Sequence, residues 1–155
     1  MQKSVVNKLI EKGYHISFAE SCTGGLAAAT LVSVADASKV LDVSFVTYAN
    51  DAKVKYLGVS EDIIEEFGVV SEEVAEQMAA GVAKEAGSEI GVGITGIAGP
   101  DGGTPEKPVG MVCFGFSING TVHTFTQQFG NIGRNEVRQK SVEFVYTTLS
   151  EFLSD

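Results

Sequence analysis

The stretch that most constrains this chain runs from Gly91 to Gly110 (GVGITGIAGPDGGTPEKPVG). It begins as a predicted strand, in which Ile90, Val92 and Ile94 alternate with small residues. Residues 96–109 then hold four of the chain's eighteen glycines and all three of its prolines. Glycine admits backbone angles that are closed to other residues, and proline fixes its own φ. A long loop inside a compact domain is usually functional or disordered, and rigid turn residues between isolated polar groups favour the wall of a binding site.

The composition is that of an ordinary globular protein. With 155 residues, 44% of them apolar, the chain fits one domain with a sizeable core. The sequence has no stretch of 18 apolar residues and no signal-peptide pattern, so we expect a cytoplasmic protein that does not bind membranes. Two widely separated cysteines, Cys22 and Cys113, and two histidines argue against a disulfide framework or a Cys/His zinc site. A net charge of −9 argues against a nucleic-acid partner.

Helical and strand patterns alternate along the chain. Asn119-Gly120 is typical of a type I′ hairpin turn, which makes the last two strands antiparallel. These patterns predict one α/β domain over residues 1–155, with a mixed, mostly parallel sheet, helices on both faces and one C-terminal hairpin. Helices are predicted over 3–12, 26–33, 50–58, 60–67, 71–87 and 134–153, and strands over 14–19, 42–48, 90–95, 111–117 and 121–129.

The turn from Glu20 to Gly25 (ESCTGG) lies between a predicted strand and a predicted helix. Free N–H groups and the helix dipole at such a point can bind an anion. The alternative is a structural turn, in which Thr23 caps the helix and the glycines permit close packing. The pattern alone does not separate these two interpretations, since it is neither a Walker A sequence nor GxGxxG.

Five segments carry a resemblance to a known family. They are AESCTGG at 19–25, Tyr48-x-Asn50-x-x-Lys53, Gly68-Val-Val-Ser71, GITGIAGPDGGTPEKPVG at 93–110 and Gly133-Arg134-x-x-x-Arg138. In this order they resemble the CinA C-terminal domain family, whose stand-alone members are nicotinamide-nucleotide amidases. Longer members carry an N-terminal domain linked to nucleotide pyrophosphatase activity, and we do not expect that activity of residues 1–155.

The resemblance implies a fold and a reaction. The fold is a three-layer α/β/α arrangement that forms a homo-oligomer. The reaction is hydrolysis of the carboxamide of nicotinamide mononucleotide to nicotinic acid mononucleotide and ammonia, without a metal or other cofactor. Such chemistry needs a nucleophile or an activated water, a base, oxyanion donors and an acid for the leaving group. A serine activated by a neutral lysine is one established solution.

The family's active-site groups fall on Ser21, Ser38, Tyr48, Lys53 and Thr95. We assign Ser38 as the nucleophile and Lys53 as its base, so Ser38 Oγ should lie within hydrogen-bond reach of Lys53 Nζ. Tyr48 and Thr95 would orient or protonate the substrate, and Ser21 would bind the substrate or its oxyanion. Ser21 and a lysine-activated water stay open as alternative nucleophiles. Structural alternatives stay open: Ser38 as a helix cap, Tyr48 as a strand-end aromatic residue and Lys53 as a solvated helix residue.

A further set of residues is predicted to bind the substrate. The backbone amides of the ESCTGG turn and the glycines of the long loop would approach it closely, and basic side chains would meet its phosphate. The predicted substrate-binding residues are Thr23, Gly24, Gly25, Gly102, Gly103, Lys107, Arg134 and Arg138.

Two alternatives accompany these assignments. Cys22 is a rival nucleophile, because a thiol at a helix N-terminus can have a lowered pKa, but neither His15 nor His123 stands in a recognisable pairing position. The second alternative concerns function: a non-catalytic nucleotide-binding or protein-interaction module linked to competence or DNA damage. Release of ammonia from nicotinamide mononucleotide distinguishes the module from the amidase.

Overall fold

The computed structural model describes residues 1–154. In this part of the chain the helices are α1 (Gln2–Lys12), α2 (Leu26–Val32), α3 (Asn50–Leu57), α4 (Glu61–Phe67), α5 (Glu72–Ala86) and α6 (Arg134–Phe152). The strands are β1 (Ile16–Glu20), β2 (Phe45–Val46), β3 (Ile90–Gly96), β4 (Met111–Ile118) and β5 (Thr121–Gln128). A single 3₁₀ turn, Ala37–Lys39, lies between α2 and β2 in the described chain.

Within residues 1–154 the strands form one sheet in the order β2-β1-β3-β4-β5. β1 is parallel to both β2 and β3, whereas β4 is antiparallel to β3 and β5. Four of the five described strands therefore run in one direction and β4 is reversed. The β4–β5 turn has positive φ at Asn119 and Gly120, as a type I′ turn requires. The predicted mixed, mostly parallel sheet with a C-terminal hairpin is confirmed.

Helices cover both faces of the sheet. The larger core lies between the sheet and α1, α2 and α6, and includes Leu9, Phe18, Phe114 and Leu149. A smaller core lies on the opposite face, where Leu57 of α3 and Met78 of α5 meet. The predicted three-layer α/β/α arrangement is therefore confirmed.

Glycines set the distance between α5 and the sheet. A Cβ on Gly91, Gly93 or Gly115 would lie 2.3 to 2.6 Å from the backbone carbonyl oxygen of Ala75 or Ala79. No side chain fits in that space, so glycine allows α5 to pack directly on β3 and β4. This packing fixes the carboxyl end of β3, where the long loop begins.

The second strand is shorter than predicted. A strand was expected over 42–48, but only Phe45–Val46 pair with β1. Before them, Ser44 Oγ accepts a hydrogen bond from the N–H of Phe18, so a side chain takes a position that a strand carbonyl would hold. Ala49 is the N-cap residue of α3, and Asn50 is the first residue of the helix.

None of the helices in the described residues combines the length and apolarity needed to cross a membrane.

Candidate active site

A cavity of about 290 Å³ lies where the carboxyl ends of β1, β2 and β3 meet. In open α/β sheets, ligands bind in the crevice outside these strand ends. Its polar wall includes Ser21, Lys53 and Thr95, and its apolar wall includes Val69, Val70 and Ile97. The first part of the long loop, Gly96–Gly99, also lines it, as that loop was predicted to do.

Ser21 and Lys53 meet inside this cavity. Ser21 directly follows β1, and its N–H donates to the Ile94 carbonyl at 3.1 Å, which fixes the backbone at the strand end. Lys53 lies on α3 and is 1% exposed. Its Nζ lies 3.3 Å from Ser21 Oγ and donates to the Thr47 carbonyl at 2.6 Å. The structure therefore brings a hydroxyl and a buried amine into contact.

Burial controls the charge of this lysine. Removal from water lowers the pKa of Lys53 below its ordinary value, against a smaller opposing effect of Cys22. A neutral lysine amine has two N–H donors and one lone pair. It can donate to Thr47 and, at the same time, accept the hydroxyl proton of Ser21. This geometry suits a serine whose base is a lysine.

Thr95 is buried at the end of β3, and its hydroxyl donates to the Val69 carbonyl at 2.9 Å. The same oxygen keeps its lone pairs for an N–H donor in the cavity. Thr95 is therefore placed to accept a hydrogen bond and orient a substrate amide, rather than to donate a proton.

Tyr48 and Arg134 meet beside the cavity. Arg134 Nη2 donates to the Tyr48 hydroxyl at 2.6 Å, and its Nη1 donates to the Gly99 carbonyl at 2.7 Å. One arginine thus joins the first turn of α6 to the end of β2 and to the long loop. Both side chains are exposed and line the cavity, so they are accessible to a ligand.

The anion-binding site predicted at the start of α2 is occupied by a side chain of the protein itself. Glu20 is fully buried, and its two carboxylate oxygens accept the N–H groups of Ala27 at 2.8 Å and Ala28 at 3.0 Å. Gly24 N–H donates to the Ser21 carbonyl at 3.0 Å. These donors are therefore not free for a substrate, and the carboxylate stabilises the helix end as a bound anion would.

The structure does not support the assignment of Thr23, Gly24 and Gly25 to substrate binding. None of the three is among the described residues that line the cavity, whereas Ser21 and Cys22 line it. Gly24 and Gly25 have φ of 59° and 101°, which the tight turn requires. The glycines are needed for the positive φ of the turn rather than for close packing, since a Cβ on either would lie 3.6 Å from its nearest neighbour. The side chain that accepts the N–H groups of the helix start is Glu20 rather than Thr23.

The predicted contact between Ser38 and Lys53 is also wrong. Ser38 lies in the exposed 3₁₀ turn, next to Val40, whose carbonyl accepts the N–H of Ile16. Ile16 is the first residue of β1, whereas Ser21 follows its last. The two ends of this strand are roughly 13 Å apart, so Ser38 lies at the opposite edge of the sheet from Lys53.

Three further substrate-binding assignments change. Arg138 donates to the carbonyls of Cys22 and Thr23 at 3.1 and 3.0 Å, so it anchors the turn instead of facing the cavity. Lys107 donates to the backbone carbonyls of Phe67 and Val70 and does not itself line the cavity in the described chain. Gly103 packs against the chain, where a Cβ would come within 2.7 Å of a backbone nitrogen. Gly102, in contrast, lines the cavity, and its role in substrate binding stays a prediction.

The rival nucleophile Cys22 lines the cavity but is 5% exposed. Burial raises the pKa of its thiol to about 11, and nearby Glu20 adds to this effect against smaller opposing contributions. The expected lowering of the Cys22 pKa does not occur, because burial has the largest effect on this thiol. A protonated thiol is a poor nucleophile.

Sequence reasoning missed several residues of the cavity. Asn50, Asp101, Val69 and Val70 line it but had no assigned role. Each belongs to a segment that carried the family resemblance, so that signal could have identified them. Among residues 1–154, no group of three or more His, Cys, Asp and Glu side chains is arranged to hold a metal ion.

The mixed sheet with helices on both faces and a polar cavity at the carboxyl ends of its parallel strands defines an α/β protein of the ligand-binding, open-sheet class. Residues 1–153 match the model of the CinA C-terminal domain, and the chain belongs to this family. It is 51% identical over 144 residues to a CinA-like protein of Kosmotoga olearia, a match that covers 93% of this chain and 35% of the relative. The chain thus spans about a third of the length of that longer relative.

Two other relatives match over most of their length. A protein of Enterobacter agglomerans named nicotinamide-nucleotide amidohydrolase PncC is 48% identical over 146 residues, covering 93% of this chain and 88% of that protein. A crystal structure of a CinA superfamily protein from Enterobacter cloacae superposes with a TM-score of 0.95 at 33% identity. That superposition covers 99% of this chain and 90% of the other.

Proposed function

We propose that this protein is a nicotinamide-nucleotide amidase that hydrolyses the carboxamide of nicotinamide mononucleotide with Ser21 as nucleophile and Lys53 as base. The observation that carries the proposal is the 3.3 Å separation of Ser21 Oγ and buried Lys53 Nζ inside the cavity. The similarity to the PncC protein supports the choice of substrate.

In the first step, Ser21 Oγ attacks the amide carbon and its proton moves to the Lys53 lone pair. A C–O bond forms, and the carbonyl electrons move to the oxygen to give a tetrahedral oxyanion. Lys53 is then an ammonium ion beside the new negative charge, which it stabilises in a site partly shielded from water. The Thr47 carbonyl holds the lysine in place through the 2.6 Å hydrogen bond.

In the second step, the C–N bond breaks and the nitrogen leaves as ammonia after receiving a proton. Lys53 can return the proton it took, and the Tyr48 hydroxyl is a second donor, since it only accepts from Arg134. Thr95 Oγ1 accepts an N–H of the carboxamide and so aligns the leaving nitrogen. Lys53 is neutral again once its proton has passed to ammonia, directly or through Tyr48. Water then attacks the ester carbon and gives a proton to Lys53. The bond between this carbon and Ser21 Oγ breaks, Lys53 returns the proton to Ser21 Oγ, and nicotinic acid mononucleotide leaves.

The phosphate of the nucleotide binds Arg134. Two of its five N–H groups donate to Tyr48 and Gly99, which fixes the guanidinium at the cavity and leaves its other N–H groups for phosphate oxygens. Arg138 is engaged with backbone carbonyls and is not part of this contact. A metal ion is not needed for these steps. The homo-oligomer and the cytoplasmic location stay predictions.

The test is to incubate the purified protein with nicotinamide mononucleotide and to measure ammonia and nicotinic acid mononucleotide together. We expect equal amounts of the two products, and no more than background from the Ser21→Ala variant. Binding measured by calorimetry without turnover would refute the amidase and support the alternative of a non-catalytic nucleotide-binding module. Neither binding nor turnover would refute both.

A further inference from the structure

Part of the apolar wall of the cavity belongs to residues 67–70, which run from the last residue of α4 to the residue before the N-cap of α5. Val69 and Val70 of this segment line the cavity. Irregular backbone near a site depends on side chains to hold it, because it lacks the hydrogen bonds of a helix or strand. The hydrogen bonds of this segment therefore determine where the apolar wall lies.

All four successive carbonyls of the segment accept a hydrogen bond from a side chain. Ser71 Oγ donates to the Gly68 carbonyl at 2.8 Å, and Thr95 Oγ1 donates to the Val69 carbonyl at 2.9 Å. Lys107 Nζ donates to the other two, the carbonyls of Phe67 and Val70, the latter at 2.6 Å. One ammonium group thus holds both ends of the segment.

Lys107 reaches this position from the long loop. Its own N–H donates to Thr104 Oγ1 at 3.0 Å, and the Thr104 N–H donates to the Lys107 carbonyl at 2.9 Å. This closed turn presents the lysine side chain. The first part of the same loop lines the cavity, so Lys107 connects two of its walls.

The space around the ammonium is narrow on one side. A Cβ on Gly68 would lie 2.6 Å from Lys107 Nζ, so the side chain occupies the space that glycine leaves open. Phe67 is the last residue of α4, where carbonyls lack partners and the helix dipole favours a cation. The site therefore suits a compact ammonium group better than a planar guanidinium.

We propose that Lys107 is a positioning residue for the pyridine ring: it holds residues 67–70 so that Val69 and Val70 form the surface on which the ring packs. This inference rests on the proposed function for the identity of the ligand. A planar aromatic ring packs on apolar side chains, whereas the phosphate is bound by Arg134 at another part of the cavity. Loss of the Lys107 contacts should therefore weaken recognition of the ring and leave recognition of the phosphate intact.

The experiment compares two ligands by calorimetry with wild-type protein and Lys107→Met. Nicotinic acid mononucleotide has the ring and the phosphate, and ribose 5-phosphate has no ring. We expect Kd for the first to rise about tenfold, which is about 1.4 kcal/mol, and Kd for the second to change less than about twofold. Lys3→Met, which removes an exposed lysine on α1, is the charge-matched control and should change neither value.

Equally weakened binding of the two ligands would overturn the proposal, because it would show a general structural role. Unchanged binding of both ligands would overturn it as well. If Lys107→Met fails to fold, Lys107→Arg is the second test. It keeps the charge but should also weaken binding of the ring-containing ligand selectively. Wild-type affinity of Lys107→Arg for both ligands would then refute the role of Lys107. A wild-type protein that binds both ligands but releases no ammonia refutes the amidase and leaves this inference standing.

Discussion

Replacing Lys53 with methionine removes the amine while keeping the length and most of the volume of the side chain. The amine contacts Ser21 Oγ at 3.3 Å and the Thr47 carbonyl at 2.6 Å. Without it, the hydroxyl proton of Ser21 has no acceptor at that position. Lys55→Met is the matched control, because Lys55 lies on the same helix but is exposed.

The size of the effect follows from these contacts. A positioned general base contributes about 10²- to 10⁴-fold to rate, so the barrier should rise by roughly 3 to 5 kcal/mol in Lys53→Met. The variant also leaves the Thr47 carbonyl without its partner, which costs about 1 to 3 kcal/mol, partly offset because no amine is buried. For a domain of this size the melting temperature should fall by no more than about 12 °C. At an assay temperature well below the unfolding transition, the variant should therefore be folded but inactive.

The pH dependence has a definite sign. Burial lowers the pKa of Lys53 in the folded protein, and its unfolded pKa is about 10.4. Below the folded pKa the amine is protonated and cannot act as a base, so kcat/KM should rise with pH and level off below pH 10.4. Between the two pKa values only the unfolded state holds the proton, so this group makes the folded protein more stable as pH rises. Both effects should be absent in Lys53→Met.

The assay is ammonia release from nicotinamide mononucleotide across a pH series, with thermal unfolding of each variant. Retention of more than about a tenth of the wild-type kcat/KM by Lys53→Met would refute the role of Lys53 as base. So would a variant whose activity keeps the wild-type pH dependence. A similar loss in Lys55→Met would show that the effect is not specific to the buried amine.

Three other predictions concern neighbouring residues. Cys22→Ala should keep turnover within about threefold of wild type. Iodoacetamide at neutral pH should not inactivate the enzyme, because the thiol pKa is about 11. Rapid inactivation of the wild type that Cys22→Ala prevents would contradict this and favour Cys22 as nucleophile. Arg134→Ala should raise KM about tenfold or more, because a charged hydrogen bond to the phosphate is lost. Arg138→Ala should mainly lower the melting temperature, because Arg138 anchors the turn. The reverse pattern would assign the phosphate to Arg138 instead of Arg134. Gly103→Ala should lower the melting temperature, because its Cβ would lie 2.7 Å from a backbone nitrogen. An unchanged melting temperature would contradict this packing.

The fold was largely predictable because its signals are local. The helical patterns, the Asn119-Gly120 turn and the glycines of the β3 region each specify nearby backbone, and together they give the mixed sheet and its two helical layers. The short β2 was not predictable, because Ser44 replaces part of the strand pairing by a side-chain contact. Its boundary depends on one tertiary hydrogen bond.

The site was predicted less well, because a site depends on which strand ends meet. Ser21 and Ser38 both lie in segments that the sequence predicts as turns, so it does not separate them. The parallel pairing of β1 with β2 is what brings Ser21, and not Ser38, to Lys53. In the same way, Arg138 was predicted to bind the phosphate and Lys107 the substrate, but tertiary contacts direct both side chains to backbone carbonyls. The sequence shows which side chains are positively charged, but only the tertiary structure shows which groups they contact.

The central claim is that Ser21 and Lys53 act as one unit, and a double-mutant cycle tests it most directly. Ammonia release would be measured for Ser21→Ala, Lys53→Met and the double variant, with Ser38→Ala as the control serine. We predict that each single variant loses at least 10²-fold in kcat, that the double variant is little worse than either, and that Ser38→Ala stays within about twofold of wild type. Additive losses from Ser21→Ala and Lys53→Met, or loss of turnover in Ser38→Ala with activity retained in Ser21→Ala, would contradict the account.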